Sequence, residues 1–303
     1  MSKPSPIPRV FDCALVRRRL ARALLRSDSH FLLDRLCDDL VQRLLPVQRT
    51  FASILDLGTP TAQAAAALRG VAPAATLVRA APFLQAGGSG SLTLVADPEA
   101  LAFAPERFDL TVSLLSLQSV NDLPGALVQI RRSLKPDGLF LAAIMGGQSL
   151  QELRAVLAEA EAEITGGASP RVAPFTDLRD LGHLLQRTGF ALPVTDFDRV
   201  TVRYGSMFDL LADLRAMGLT NALVQRSRRP TPRRLFLRAA ELYAQRFADP
   251  DGRLRATFDL VWLSGWAPHE SQQKPLRPGS AKMRLADALG AREQRIDVTG
   301  KAK

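Results

Sequence analysis

Cysteine is almost absent from this chain: Cys13 and Cys37 are the whole complement, and they lie far apart. Two cysteines so placed build neither a disulfide scaffold nor a zinc or redox pair, and their scarcity suits a reducing compartment. Histidine is nearly as rare. His30, His183 and His269 form no H-x-x-x-H or H-x-D pattern, so no metal centre is expected. Aromatic residues amount to 6% and do not interleave with the arginine clusters, which argues against nucleic-acid binding. No run of about 20 apolar residues occurs, so no membrane-spanning helix is expected. The charged segment, apolar run and A-x-A site that mark secretion are missing as well. Arg9, Arg17, Arg18, Arg19, Arg22 and Arg26 face only Asp12 and Asp28 near the start. That stretch reads either as a presequence or as an amphipathic helix, and a bacterial cytoplasmic location is the default expectation. Lysine is scarce too: six of the forty basic residues, so the net charge of +10 is an arginine charge. A GC-rich genome or an anionic partner would each produce it.

What remains is an ordinary globular composition, 47% hydrophobic and 23% charged over 303 residues, enough for one domain of about 200 residues with extensions. The organising stretch is Ser53-Ile54-Leu55-Asp56-Leu57-Gly58, an apolar run that stops at a glycine and is followed by a helical pattern from Ala62 to Leu68. Strand, glycine turn and helix open a βαβ unit whose carboxyl edge faces a ligand. Further strands are expected over 75–79, 91–96 (after the Gly87–Gly90 loop), 108–115, 138–144 and 255–266. Helices are expected over 11–26, 30–45 (capped by Asp28 or Ser29), 122–134, 176–188 and 206–217. Ser149-Leu150-Gln151-Glu152 reads as a capping box at the start of another helix. Thr231 and Pro232 read as cap and first residue of one that runs to Phe247. Lys135-Pro136-Asp137-Gly138 reads as a tight turn. Alternating strands and helices predict an α/β fold with a mostly parallel, Rossmann-like sheet. The expected divisions are an N-terminal helical segment (1–48), a core (49–150), a helical insertion with sheet-completing strands (151–290) and a disordered tail (291–303).

Several residues are candidates for chemistry. Asp56 and Gly58 end the first strand, and Gly58 can take a positive φ that lets a ligand approach the backbone. Asp97 ends the third strand, where a carboxylate can accept from an adenine amino group. The second strand should end in an acid that grips a ribose; Arg79 or Ala80 stands there instead. Thr59, Pro60 and Thr61 replace the small residues of a glycine-rich loop, and Pro60 removes an amide. Arg226 and the run Ser227–Arg234 form the densest basic cluster, either a solvated face or a surface for an acidic partner. Cys37 reads as a core filler, His183 as structural, and the polar loop around His269 as structural or as a flap over a site.

Taken together, these stretches resemble one family. The residues concerned are Phe11-Asp12 with its arginine-rich helix, Leu55-Asp56-Leu57-Gly58, Ser113–Pro124, Leu134–Gly138 with Gly146-Gly147, Ser169–Phe175, His269-Glu270-Ser271-Gln272 and Pro278–Ala281. They are similar to the methyltransferase-like assembly factors of respiratory complex I, in their alphaproteobacterial form, over about residues 11–283. The resemblance implies a class I methyltransferase fold and a role in maturing complex I. It implies a protein client, an iron–sulfur subunit, on which the mitochondrial member is associated with arginine hydroxylation. It implies S-adenosyl-L-methionine as cofactor, with Asp56, Gly58 and Asp97 in contact and Leu115, Ser116 and Leu117 lining the pocket. Gln118-Ser119 stands where the family has His-Trp, and the glycine loop and ribose acid are lost, departures that predict weakened cofactor binding. The expected function is modification of an arginine of that subunit; the alternative is a scaffold that binds a respiratory-complex subunit without cofactor chemistry. Peripheral association with a membrane through complex I is the corresponding expectation for location.

Overall fold

The computed structural model describes residues 9–25, 30–83, 92–273 and Gly290. The chain divides into two units, Met1–His269 and Glu270–Lys303. Most of the second, with the expected tail and the Pro278–Ala281 stretch, lies outside the described residues, as do Asp28, Ser29 and the Gly87–Gly90 loop.

The first unit is built on one seven-stranded sheet. Its strands are β1 (Ser53–Leu57), β2 (Thr76–Ala81), β3 (Leu92–Val95), β4 (Phe108–Leu114), β5 (Leu134–Gly146), β6 (Ala191–Tyr204) and β7 (Leu254–Trp266). They lie in the order β3-β2-β1-β4-β5-β7-β6. The first five pair in parallel; β7 runs antiparallel to both of its neighbours. The parallel strands read as continuous apolar runs because helices cover both faces. Alternate residues of β1 show it: Ile54 packs into the cluster with Leu32, Leu36, Leu68 and Val112, while Leu55 and Leu57 pack into the one with Leu127, Ile130 and Leu181. The first cluster is closed by α2 (Phe31–Leu44), α3 (Gln63–Val71), α5 (Gln151–Thr165), α7 (Met207–Ala216) and α8 (Arg233–Phe247), the second by α4 (Leu123–Ser133) and α6 (Leu178–Arg187). Helix α1 (Cys13–Leu24) packs on α7. There Gly218, at φ +73°, brings its backbone so close to Leu20 that a Cβ would lie 3.0 Å from the Leu20 Cα.

Several local expectations are corrected. Strand β6 has no counterpart in the sequence reading, because along this outer strand apolar and charged residues mix and only Tyr204 is buried. Strand β5 begins four residues early; Phe108 pairs with Leu134 and Leu110 with Leu139, so Lys135–Gly138 bulges out of the ladder with Asp137 at φ +60°. Ser149 and Glu152 do not form a capping box. The Ser149 hydroxyl donates to the Gly146 carbonyl (2.8 Å) and accepts from the Asp259 amide (2.9 Å), and Glu152 accepts from the Thr257 amide (3.1 Å). Both side chains serve the junction with β7. Thr231 does not cap α8 either: Pro232 takes the N-cap position, and the Thr231 hydroxyl accepts from Arg171 at 3.0 Å. His30 stands at the N-cap of α2 with no side-chain capping bond.

Candidate functional site

The site begins where β1 ends. Gly58 turns at φ +73° and its amide donates to the Ala80 carbonyl at 2.7 Å. A Cβ there would lie 2.1 Å from the Ser116 hydroxyl oxygen, so both the dihedral and the space require glycine. Asp56 does not reach the cavity that follows. It is fully buried and forms an ion pair with Arg79 (Nε–Oδ2 3.5 Å), its register partner on β2. Arg79 also donates to the Thr59 carbonyl at 3.0 Å, and the Thr59 hydroxyl accepts from the Leu114 amide at 3.3 Å. One residue of the altered glycine loop, Thr59, and the arginine in place of the ribose acid, Arg79, are therefore one internal network that ties the turn to its flanking strands. Burial pushes the Asp56 carboxyl up to about 6, and the Thr59 hydroxyl and Arg79 charge pull against that rise. The same burial lowers Arg79 from the usual guanidinium range.

At the end of β4, Leu115 takes φ +51° while its amide still donates to the Ala143 carbonyl at 2.8 Å. A left-handed leucine costs about 1–2 kcal/mol, and the bend opens the chain into the short 3-10 helix Leu117–Ser119. Leu115 and Ser116 line the cavity; Leu117, 1% exposed, lies behind them in the core. Asp97 follows β3, and its carboxylate accepts from the Glu99 amide at 3.0 Å and from Arg17 of α1 at 2.7 Å. Of the six residues expected in the pocket, Gly58, Asp97, Leu115 and Ser116 meet in one wall, while Asp56 and Leu117 support it from inside. Asp56, expected in contact with the cofactor, and Leu117, expected to line the pocket, are both buried behind that wall.

Sequence reasoning missed the residues that close this cavity. Asn121 holds the approach to α1: its side-chain oxygen accepts from the Val10 and Phe11 amides, each at 2.8 Å, and its amide group donates to the Phe11 carbonyl at 3.2 Å. The Asp12 carboxylate caps α1 by accepting from Leu15 and pairs with Arg226 at 3.3 Å. Helix α1 thus lies across the carboxyl edge of the strands. The resulting cavity of about 770 Å³ carries six arginines (Arg17, Arg19, Arg171, Arg215, Arg226, Arg228) against two carboxylates, Asp97 and Glu99. Arg171 is already paired with Glu161 at 2.7 Å. The advance signs of this wall were the arginine-rich pattern of residues 17–22, which a leader peptide would also produce, and the basic cluster of Arg226 and Ser227–Arg234, which a solvated face would also produce. Cys37 is a buried core residue whose thiol burial pushes up to about 12, and His183 and His269 are exposed. Among the described residues no three histidines, cysteines or carboxylates gather as a metal site, and no helix is long and apolar enough to cross a membrane.

A parallel sheet with one antiparallel strand beside its edge, a glycine turn after β1 and a cavity over the strand ends define a class I methyltransferase fold. Comparison with known proteins agrees. Residues 29–193 match the methyltransferase domain family. The mitochondrial arginine-hydroxylase NDUFAF5 of Danio rerio is 38% identical over 292 residues, 92% of this chain and 89% of that protein. A malonyl-[acyl-carrier protein] O-methyltransferase of Halorhodospira halophila is 31% identical over 298 residues, 94% and 97% of the two chains. A solved Bacillus halodurans chain assigned to the methyltransferases superposes with a TM-score of 0.52 at 14% identity, covering 76% of this chain and 98% of its own, a likeness of fold alone. The chain belongs to the methyltransferase-like family of complex I assembly factors, within the class I methyltransferase superfamily.

Proposed function

We propose that this chain matures respiratory complex I in the bacterial cytoplasm by modifying an arginine of the iron–sulfur subunit. The carrying observation is the 38% identity to an arginine-hydroxylase across 92% of this chain. Hydroxylation inserts one oxygen atom into a C–H bond, a two-electron oxidation of the side chain. With dioxygen as the oxidant the second oxygen atom leaves as water, which takes two protons and two electrons from a reductant that must act alongside the protein as well. With no membrane-spanning helix among the described residues, the chain would meet the membrane only through its client.

S-adenosyl-L-methionine is the proposed ligand of the cavity, and the residues fit it on one side. Asp97 offers a carboxylate to the adenine amino group, Pro82 and Pro98 offer apolar walls, and the Gly58 turn admits close approach to the backbone. Leu115 and Ser116 complete that wall, held by Asp56 and Leu117 behind it. The ribose lacks its acid, since Arg79 is turned toward Asp56 and Ala80 and Ala81 follow it. One lost charge-assisted hydrogen bond is worth about 1.5–3 kcal/mol, which predicts binding about tenfold to a hundredfold weaker than with the acid in place. When bound, the cofactor supplies a sulfonium methyl group. Helix α1 then shields the cavity from water, with Arg17 released from Asp97. A docking role without chemistry is the second reading, favoured by that Arg17–Asp97 pair, which occupies the carboxylate an adenine would use.

Mass spectrometry of the iron–sulfur subunit from wild-type and deletion strains tests the reading. Loss of an oxygen-bearing arginine in the deletion strain is the expected result. Loss of a methyl-bearing arginine would assign methyl transfer instead, and an unchanged arginine pattern would exclude modification of that subunit.

A further inference from the structure

The cavity is polarised, and its basic end is not used by the reading above. At the strand end its carboxylates are occupied: Asp97 pairs with Arg17, and Glu99 accepts from the Asn121 and Asp122 amides. At the far end α1, α7 and the loop before α8 bring Arg19, Arg215, Arg226 and Arg228 to one wall. A second cavity of about 450 Å³ adjoins it, lined by Arg19, Arg22, Arg215 and Thr220 with three alanines and no carboxylate among the lining residues. Of the acids on these segments one, Asp12, meets the wall at Arg226, and the other two turn away from it. Asp12 caps α1 and pairs with Arg226, Asp209 accepts from the Ser206 hydroxyl at 2.9 Å, and Asp213 lies against Tyr204. Among the described residues Arg22, Arg215 and Arg228 have no ion-pair partner, and beyond the rim Arg229, Arg233 and Arg234 continue the exposed charge without one. Arg19, which donates to the Asn221 carbonyl, is pulled below the ordinary guanidinium range first by burial and then by the neighbouring Arg226 and Arg18 charges, with Asp12 opposing the shift.

Such a wall holds stored repulsion that an anion would relieve, and guanidinium groups suit carboxylates in particular. An arginine side chain, itself a cation, gains nothing here. We propose that the cleft between α1 and α7, continued by Arg228, Arg229, Arg233 and Arg234, docks an acidic segment of the protein client. Its carboxylates would lie on Arg19, Arg22 and Arg215, and the target arginine would be delivered toward the strand ends. Arg229, Arg233 and Arg234 are exposed and lie outside the lining of either cavity, so several separate guanidinium groups are offered, which suits a polypeptide with several carboxylates better than one small free anion. This inference rests on the client reading above and specifies where that client binds.

Fluorescence anisotropy with a labelled decapeptide of glutamate, and its glutamine counterpart, tests it on the full-length protein. The glutamate peptide should bind, the glutamine peptide at least tenfold more weakly, and added salt should weaken the former as exposed charges are screened. The double variant R215E/R228E should cut glutamate-peptide affinity tenfold or more. R179E/R187E, which changes net charge equally at two exposed positions of α6, should cut it less than threefold. Both should melt within a degree or two of wild type, since all four side chains are exposed. Equal loss in the two doubles would overturn the proposal in favour of diffuse charge attraction. Full competition by millimolar succinate, with no advantage for the longer peptide, would overturn it in favour of a small-anion site. If the peptide fails to bind while the client arginine still depends on the gene, the docking inference falls and the function stands; the reverse pattern separates them the other way.

Discussion

At the scale of single residues, the site is governed by how Asp56 and Asp97 are neutralised. Asp56 has its folded pKa, about 6, above the ordinary value of 3.8. A carboxyl raised in this way binds more protons folded than unfolded between those values, so stability falls as pH rises from about 4 through 6 and is flat above. The shift corresponds to roughly 3 kcal/mol. Denaturant melts of wild type and Asp56→Asn should therefore diverge in that window, with the variant losing less stability as pH rises; parallel curves would mean that Asp56 titrates normally. Removing the partner acts the other way. Arg79→Ala strands a buried carboxylate and should cost about 3–5 kcal/mol at neutral pH, measured as a lower denaturation midpoint with unchanged slope. Asp97 is the exposed counterpart. Its Arg17 pair is 44% and 37% exposed on the two sides, and exposed pairs contribute about 0.2–1 kcal/mol. Arg17→Ala should then tighten S-adenosyl-L-methionine binding by up to about fivefold in calorimetric titration, whereas weaker binding would make Arg17 a ligand rather than a competitor. The sequence showed the second strand's missing acid but not why it was missing. Only the register of β1 against β2 reveals that Arg79 has been recruited inward.

At the scale of elements, the legible parts were those whose signal is local. β1 and β4 announced themselves as apolar runs and β7 by its alternation, and α6 and α7 by their closing glycines Gly189 and Gly218. Two failures share one cause. Ser149-x-x-Glu152 matches a capping pattern, and Ala191–Tyr204 mixes apolar and charged residues without a clean alternation; in both, the deciding partner is β7, fifty or more residues away. Tertiary contact outranked local preference there. The placement of α1 is of the same kind. Nothing near residue 11 indicates that Asn121 will hold it, yet that side chain makes three hydrogen bonds to the Val10 and Phe11 backbone. Asn121→Ala leaves those groups without their partner at a local cost of about 1–3 kcal/mol. Hydrogen exchange should accelerate in residues 10–24 by about tenfold or more while β1 and β4 keep their protection. Uniform acceleration across the sheet would show that α1 is not a separately openable cover.

For the whole molecule, the sheet supplies a rigid edge, and the sequence elements outside it decide what that edge can bind. The parallel strands and their two helical layers would form the same edge in any member of this fold, so fold alone does not select a chemistry. Selection lies in α1, α7 and the loop before α8, which place five of the six arginines (Arg171 comes from the segment between α5 and α6) around a cavity that also touches Gly58 and Asp97. A ligand that spans both regions must connect the cover to the sheet, and its binding energy then appears as stability of the whole unit. At a concentration one hundred times its dissociation constant, S-adenosyl-L-methionine would add about 2.7 kcal/mol, which for a domain of this size is a rise in melting temperature of several degrees. The shift should shrink toward zero in Asp97→Ala, a half-buried substitution that also removes the Arg17 pair and the Glu99 amide bond, so each shift is read against that protein's own ligand-free melting temperature. A wild-type protein that melts cooperatively with no shift at millimolar ligand would mean that the Arg17–Asp97 contact keeps the adenine subsite shut, and that the edge serves the client without the cofactor. A shift equal in wild type and variant would place the ligand elsewhere in the cavity, toward the arginine wall. The size of the shift and its dependence on Asp97 thus discriminate between an enzyme built on this edge and a docking protein that has kept only its shape.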